Sequence, residues 1–137
     1  MNYLWLCFAI LSMAFYGVWG ALGAKSAQYL DPRAVMFFSS IGILITGIAC
    51  LIALHFKMQL NSAGVSFSVA TGIVNGLGTL FFIAALRFGP LVPSVMITAL
   101  YPMVTILISV LLFHQSLNLK QMIGIAFSFV AIYCLSA

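Results

Sequence analysis

The stretch TALYPMVTILIS, residues 98–109, holds a proline in the middle of an apolar run, with no turn residue beside it. Pro102 has no N–H to donate, and its ring crowds the carbonyl four residues back, that of Thr98. In water such a residue ends a helix. In lipid the freed carbonyl must be satisfied by protein or by water in a cavity. Working outward, the run extends from Leu91 to Phe113 without one charged side chain. That is long enough for a helix to cross the hydrocarbon core, which needs roughly 20 mostly apolar residues.

The rest of the chain has the same character. Hydrophobic residues make up 65% of the 137 and charged residues only 4%. A soluble domain carries about 25% charged residues, and no soluble fold of this size has the interior to hide so much apolar surface. The solvent is lipid. The formal charge of +4 comes from Lys25, Arg33, Lys57, Arg87 and Lys120, which are scattered rather than clustered. They form no basic patch for nucleic acid. Each falls at or near the end of an apolar run, where a long side chain can snorkel to the interface. Cys7, Cys50 and Cys134 lie inside apolar runs without paired spacing, and read as small buried hydrophobes.

Five spans emerge, at about Tyr3–Gly23, Ala34–His55, Val65–Leu86, Leu91–Phe113 and Leu119–Leu135. The first has no basic residue before it and is too long for a signal-peptide core, so it is expected to be retained. The breaks are KSAQYLDPR (25–33), FKMQLNSAG (56–64), RFGP (87–90) and HQSLNLK (114–120). Such short connections make neighbouring spans antiparallel and leave no room for a soluble module. An odd number of spans puts the termini on opposite faces. Lys57 and Lys120 then share the N-terminal face, two cations, against Lys25, Arg33 and Arg87, three, on the other. By the positive-inside rule that bias is almost nil. A chain without a bias can insert both ways, which would supply an antiparallel pair from one sequence. If the slight bias decides instead, the N-terminus lies outside.

The polar residues inside the spans form stripes. In span four, Ser94, Thr98, Tyr101, Thr105 and Ser109 repeat at helical spacing; in span three, Thr71, Asn75 and Thr79 do so; in span one, Ser12, Tyr16 and Trp19 do, with Gly23 continuing the face. Spans two and five show no comparable stripe. Polar stripes face protein or a water-filled cavity rather than lipid, so spans one, three and four are expected to share an interior. A kinked helix near midplane points the same way. Gly72 with Gly76, and Gly124 with Ser128, have the spacing that permits close helix approach. His55 and His114 close spans two and four and read as interfacial anchors rather than metal ligands, since a metal site needs more ligands. The one acid, Asp31, lies in a loop, so no buried carboxylate is present for a proton relay. There is no nucleophile triad, zinc spacing or phosphate loop.

Residues 84–135, AALRFGPLVPSVMITALYPMVTILISVLLFHQSLNLKQMIGIAFSFVAIYCL, resemble the C-terminal part of an EamA-like domain of the drug/metabolite transporter superfamily. The resemblance rests on LYP followed by an apolar run, a polar turn, and Q-x-x-G opening the last helix. YGVWGALGAKSA and DPRAVMFFSS are similar to that domain's first loop and second span. The resemblance implies an all-α integral membrane protein of five transmembrane helices, half of a ten-helix inverted-repeat transporter fold, with 1–137 as a single five-helix domain. It also implies that the first, third and fourth helices line the cavity, the three that carry the stripes. One departure stands out. The family usually has a glutamate in a G-E-R-L-S-like turn after the fourth span, where this chain reads HQSLNL. Gln115 would have to replace that residue's hydrogen bonds. Four-span relatives that export cationic drugs use a buried glutamate in the first span, which this chain lacks.

Stripes and resemblance together give an expected function. The chain is a small-metabolite or drug transporter subunit of the cell inner (plasma) membrane. It works by alternating access, as an antiparallel homodimer or with a sister five-span chain. Tyr16, Trp19, Asn75, Thr79, Thr98, Tyr101 and Thr105 bind the substrate, and Pro102 kinks its helix. No cofactor, metal, nucleic acid or enzymatic activity is expected. Two other readings remain open: a structural or regulatory subunit of a larger membrane complex, and a lipid or carrier-lipid flippase subunit.

Overall fold

The computed structural model describes residues 3–58, 60–114 and 116–136. Among these every regular element is an α-helix: α1 Leu4–Ala27, α2 Pro32–Ala53, α3 Ser62–Phe88, α4 Leu91–Thr98, α5 Tyr101–Phe113 and α6 Leu119–Ser136. Four stretches are long and apolar enough to cross a membrane: Leu4–Ala27, Pro32–Ala53, Ser62–Phe88 and Leu91–Leu112, the last joining α4 and α5. The apolar part of α6, Leu119–Ala131, is shorter. The protein is a multi-pass membrane protein.

The helix ends follow from local chemistry. Asp31 caps α2, its carboxylate accepting from Arg33 N–H at 2.9 Å, with Pro32 in the first turn where its missing N–H costs nothing. Asn61 opens α3 by accepting from Gly64 N–H at 3.2 Å. Asn118 and Gln121 open α6 reciprocally. Asn118 N–H donates to Gln121 Oε1 at 2.8 Å, and Asn118 Oδ1 accepts from Lys120 N–H at 3.4 Å, an arrangement akin to a capping box. The two histidines close helices. At the end of α2, Phe56 N–H donates to Leu51 C=O and His55 N–H to Ile52 C=O, the paired bonds of a Schellman motif. His55 has φ 50°, the left-handed value that glycine usually supplies there. His114 ends α5 at φ 50°, its N–H donating to Ser109 C=O.

The proline that opened the sequence reading marks a full break. Ala99 N–H still reaches Val95 C=O, but Leu100 donates to Ile97 and Met103 to Leu100, three residues back. The turn tightens at Ala99–Leu100 and a new helix starts with Pro102 in its first turn. The disruption lies between Thr98 and Pro102, the segment whose carbonyl and ring collide in a regular helix.

The chain divides into two compact units, with the boundary between Phe88 and Gly89. In the first, α1 and α3 run parallel and α2 returns between them in sequence. Gly23 of α1 meets Ile83 of α3, and Ala27 meets Arg87, so the two helices pair at an offset of about sixty residues. The buried residues are Gly23, Ala27, Pro32, Val35, Thr79, Phe82 and Ile83. All sit toward the end that carries the α1–α2 turn. Toward the other end even large side chains such as Phe8, Phe15 and Phe67 are exposed, as lipid-facing surface can be. The cysteines are exposed too. This corrects the expectation of buried thiols: in a membrane an apolar side chain has no need of an interior.

Two glycines permit close approach. A Cβ on Gly23 would lie 2.9 Å from Ile83 Cδ1, and one on Gly76 would lie 3.2 Å from Met36 Cε. Gly72, Gly76's partner in the sequence pattern, faces open space, as does Gly124. Arg87 fastens the same end. Its Nη1 donates to the carbonyls of Ala27, at 2.8 Å, and Leu30, at 2.9 Å. These carbonyls lie past the last α1 donors and would otherwise lack partners. The cation at the end of a span thus caps a neighbouring helix rather than only reaching for headgroups.

In the second unit α4 packs on α6. A groove of about 570 Å³ runs between α5 and α6, with Pro102, Ile106 and Ser109 on one wall and Gln121, Gly124 and Ser128 on the other.

Candidate functional site

Serine and threonine hydroxyls along the stripes are largely satisfied within their own helices. Thr79 Oγ1 donates to Asn75 C=O at 2.9 Å, Thr71 to Phe67 at 2.9 Å, Thr98 to Ser94 at 2.8 Å and Thr105 to Tyr101 at 3.3 Å. Such back-bonding to the carbonyl four residues earlier lets a hydroxyl sit in lipid or protein without a second partner. The stripes by themselves therefore carry less need for water than their periodicity implies. What remains is a smaller set. Among the described residues, the Asn75 amide, the hydroxyls of Ser12, Tyr16, Tyr101 and Ser109 and the Trp19 indole N–H make no hydrogen bond. Asn75 alone brings two donors and two acceptor positions.

In the first unit Tyr16 and Trp19 are ring neighbours on α1, and Asn75 and Thr79 lie on α3. Thr79 is buried, 7% exposed, on the α1–α3 seam. With the offset of sixty it stands level with Trp19. Asn75 lies one turn away on the same face of α3, level with Phe15 and Tyr16. There the seam has opened and Asn75 is exposed. The Trp19 ring stacks on Phe82, centroids 5.1 Å apart and planes 19° apart. Tyr16 stands edge-on to Trp19 at 6.3 Å and 87°. Tyr16, Trp19 and Phe82 thus form an aromatic cluster beside the Gly23–Ile83 contact, and Asn75 lies one turn further along α3.

In the second unit Thr98, Tyr101 and Thr105 flank the helix break. Thr98 is the last residue of α4 and Tyr101 the first of α5. Tyr101 is exposed, and Pro102 offers no N–H to the Thr98 carbonyl. Gln115, named as the replacement for the family glutamate, lies outside the described residues.

Sequence reasoning missed Phe82, an apolar residue in an apolar span with no periodic signature of its own. Its one signal is its place three residues after Thr79, on the turn that meets Trp19. It also missed the role of Arg87, which no pattern distinguishes from the other span-end cations.

No Asp, Glu, Lys, Arg or His lies on α1 between Ser12 and Gly23 or on α3 between Thr71 and Ile83. The cations sit at helix ends and turns, where Lys25 Nζ lies 5.3 Å from the centre of the Tyr29 ring.

Comparison with known proteins adds the family. No curated protein and no solved structure matches the chain. The family model that matches is that of the EamA-like transporter family, over residues 3–137. Families of this kind are membrane transporters rather than enzymes, and the apolar helices agree with that. The chain is a member of the EamA-like transporter family.

Proposed function

We propose that the chain is one five-span domain, half of a ten-helix transporter, and that two copies inserted antiparallel in the inner (plasma) membrane form the working unit. It moves a small metabolite or drug by alternating access, taking it up against the polar faces of α1, α3 and the α4–α5 span. Tyr16, Trp19, Asn75, Thr79, Thr98, Tyr101 and Thr105 are the contacting residues, and Pro102 supplies the break. The observation that carries this reading is the Asn75 amide, left without a partner on a spanning helix beside an aromatic cluster. A polar group in that position needs water or a substrate. The length of α6 supports a fifth crossing: 18 residues at 1.5 Å each reach about 27 Å, near the roughly 30 Å hydrocarbon core. With no carboxylate inside a span, uniport or exchange fits better than proton-driven pumping. The test is flux of a broad metabolite panel into liposomes holding the purified protein, with Asn75→Leu alongside. Uptake that falls with Asn75→Leu while the variant stays folded supports the reading. Folded wild-type protein that moves no panel member refutes it.

A second reading, a lipid or carrier-lipid flippase, is favoured by one observation. The α5–α6 groove is walled by apolar side chains but also carries Ser109, Gln121 and Ser128, as a headgroup path would. A headgroup panel run beside the soluble panel separates the two.

The antiparallel pair has its own test. With the three native cysteines replaced, a cysteine at Ser62, the exposed first residue of α3, is labelled with an impermeant maleimide before and after permeabilisation. Labelling of about half the molecules from outside indicates dual insertion. All or none indicates a single orientation and points to a sister chain.

A further inference from the structure

We infer that the molecule handled at the α1–α3 mouth is planar and uncharged, a heteroaromatic ring bearing an amide-like edge, with Trp19 as its stacking platform and Phe82 as the positioning residue that holds the platform. This inference rests on the transport reading and narrows its substrate class.

Three observations lead there. The first is the platform. Trp19 has one face backed by Phe82, nearly parallel at 19°, while Phe82 is itself buried, 7% exposed. Trp19 remains 37% exposed. A ring stacked on a buried neighbour and still partly exposed is a preorganised stacking surface. Offset stacking on it favours a flat ring over a saturated one of the same size. Tyr16, edge-on one turn away, bounds the surface. The second is the amide. Asn75 stands one turn beyond the buried Thr79 on the same face of α3, where the seam opens, and its amide makes no hydrogen bond among the described residues. It offers a donor and an acceptor side by side, the complement of a carboxamide or lactam edge. The third is charge. Neither helix carries an Asp, Glu, Lys, Arg or His side chain at this level. A charged ligand would lose hydration with no counter-charge to replace it.

The experiment uses Trp19 as its own reporter. Trp5→Phe leaves a single tryptophan in the 137-residue chain, reconstituted in lipid nanodiscs. Four probes are titrated against its fluorescence: nicotinamide, planar and neutral with a carboxamide; cyclohexanecarboxamide, the saturated counterpart; 1-methylnicotinamide, the planar cation; and pyridine, the ring without the amide. The expected result is saturable quenching by nicotinamide, with roughly tenfold weaker binding of cyclohexanecarboxamide and weaker binding of both the cation and pyridine. Asn75→Leu abolishes the preference for nicotinamide over pyridine but leaves the preference for the flat ring. Phe82→Leu reduces the flat-over-saturated ratio toward one, an effect that a purely structural role would not produce in a folded protein. Equal binding of the flat and saturated amides, or no response of Trp19 to any probe, overturns the inference. Liposome flux that proceeds without preference for planar panel members overturns it too, and leaves the transport reading intact. Absence of all flux sinks the transport reading instead, independently of the fluorescence result.

Discussion

Replacing Gly23 with alanine should have opposite signs of effect in two backgrounds. In the wild type the new Cβ would sit 2.9 Å from Ile83 Cδ1, well inside the roughly 3.5–4.0 Å at which carbon atoms attract. Ile83 is 1% exposed, so its terminal methyl has little room to withdraw. Overpacking of this kind costs about 1–3 kcal/mol. Against it stands the gain of about 1 kcal/mol from placing alanine rather than glycine in a helix interior. The balance is a loss of about 0–2 kcal/mol. Ile83→Val deletes the clashing methyl and by itself costs about 0.5–1.5 kcal/mol. In that background Gly23→Ala meets no such atom, fills the space just vacated, and should stabilise by up to about 1 kcal/mol. The two substitutions are therefore coupled by about 1–3 kcal/mol, well above the spread expected for independent sites. The assay is reversible unfolding in mixed micelles by SDS titration for the four proteins of the cycle. Additivity of the two changes within about 0.5 kcal/mol would refute the reasoning, because it would mean that Gly23 and Ile83 do not share the contact from which the α1–α3 register is read.

Arg87→Met removes both donors to the Ala27 and Leu30 carbonyls. It should cost about 2 kcal/mol and speed amide exchange in the 28–30 turn; unchanged exchange there would show that the clasp does not hold the turn. His55→Gly should stabilise by about 1 kcal/mol, since glycine adopts the left-handed conformation at the end of α2 without the Cβ penalty; a lowered unfolding midpoint would show that the imidazole does more than end the helix. Pro102→Ala restores an N–H to the Thr98 carbonyl and should fuse α4 and α5. Amide exchange at Ala99 and Leu100 should slow by at least about tenfold while flux falls, and a persistent break would place its cause elsewhere.

The membrane class and the apolar runs were legible because they rest on composition and length, which tertiary contacts do not alter. Boundaries were less so. The first span was read as ending at Gly23, yet α1 continues to Ala27, because Arg87, distant in sequence, caps its carbonyls. The third was read as Val65–Leu86, whereas α3 starts at Ser62, where Asn61 caps it. Pro102 revealed the cause of the break, though not that it would divide the span into two helices. The stripes placed Asn75 with Thr79 and Tyr16 with Trp19 at helical spacing, and both stretches are helical. They did not show that most hydroxyls bond within their own helices, since periodicity records where a side chain points and not what it touches. Phe82 stayed hidden for a related reason. A phenylalanine in an apolar span is uninformative until another helix brings a tryptophan over it.

The first unit is packed at one end. Gly23, Ala27, Pro32, Val35 and Ile83 are buried near the α1–α2 turn, while the opposite ends of α1 and α3 are bare. Such a body would act as a lever with its packed end as fulcrum. From Gly23 back to Leu4 is 19 helical steps, an arm of about 28 Å. A tilt of about 10° at the fulcrum, too small to disturb the Gly23–Ile83 contact greatly, swings the far tip by about 5 Å, one helical turn. Nothing at the tip needs to break for that swing, because little is packed there. The stiff end sets the axis and the bare end supplies the travel, so a small rearrangement in the seam is enlarged into a displacement on the scale of a small molecule.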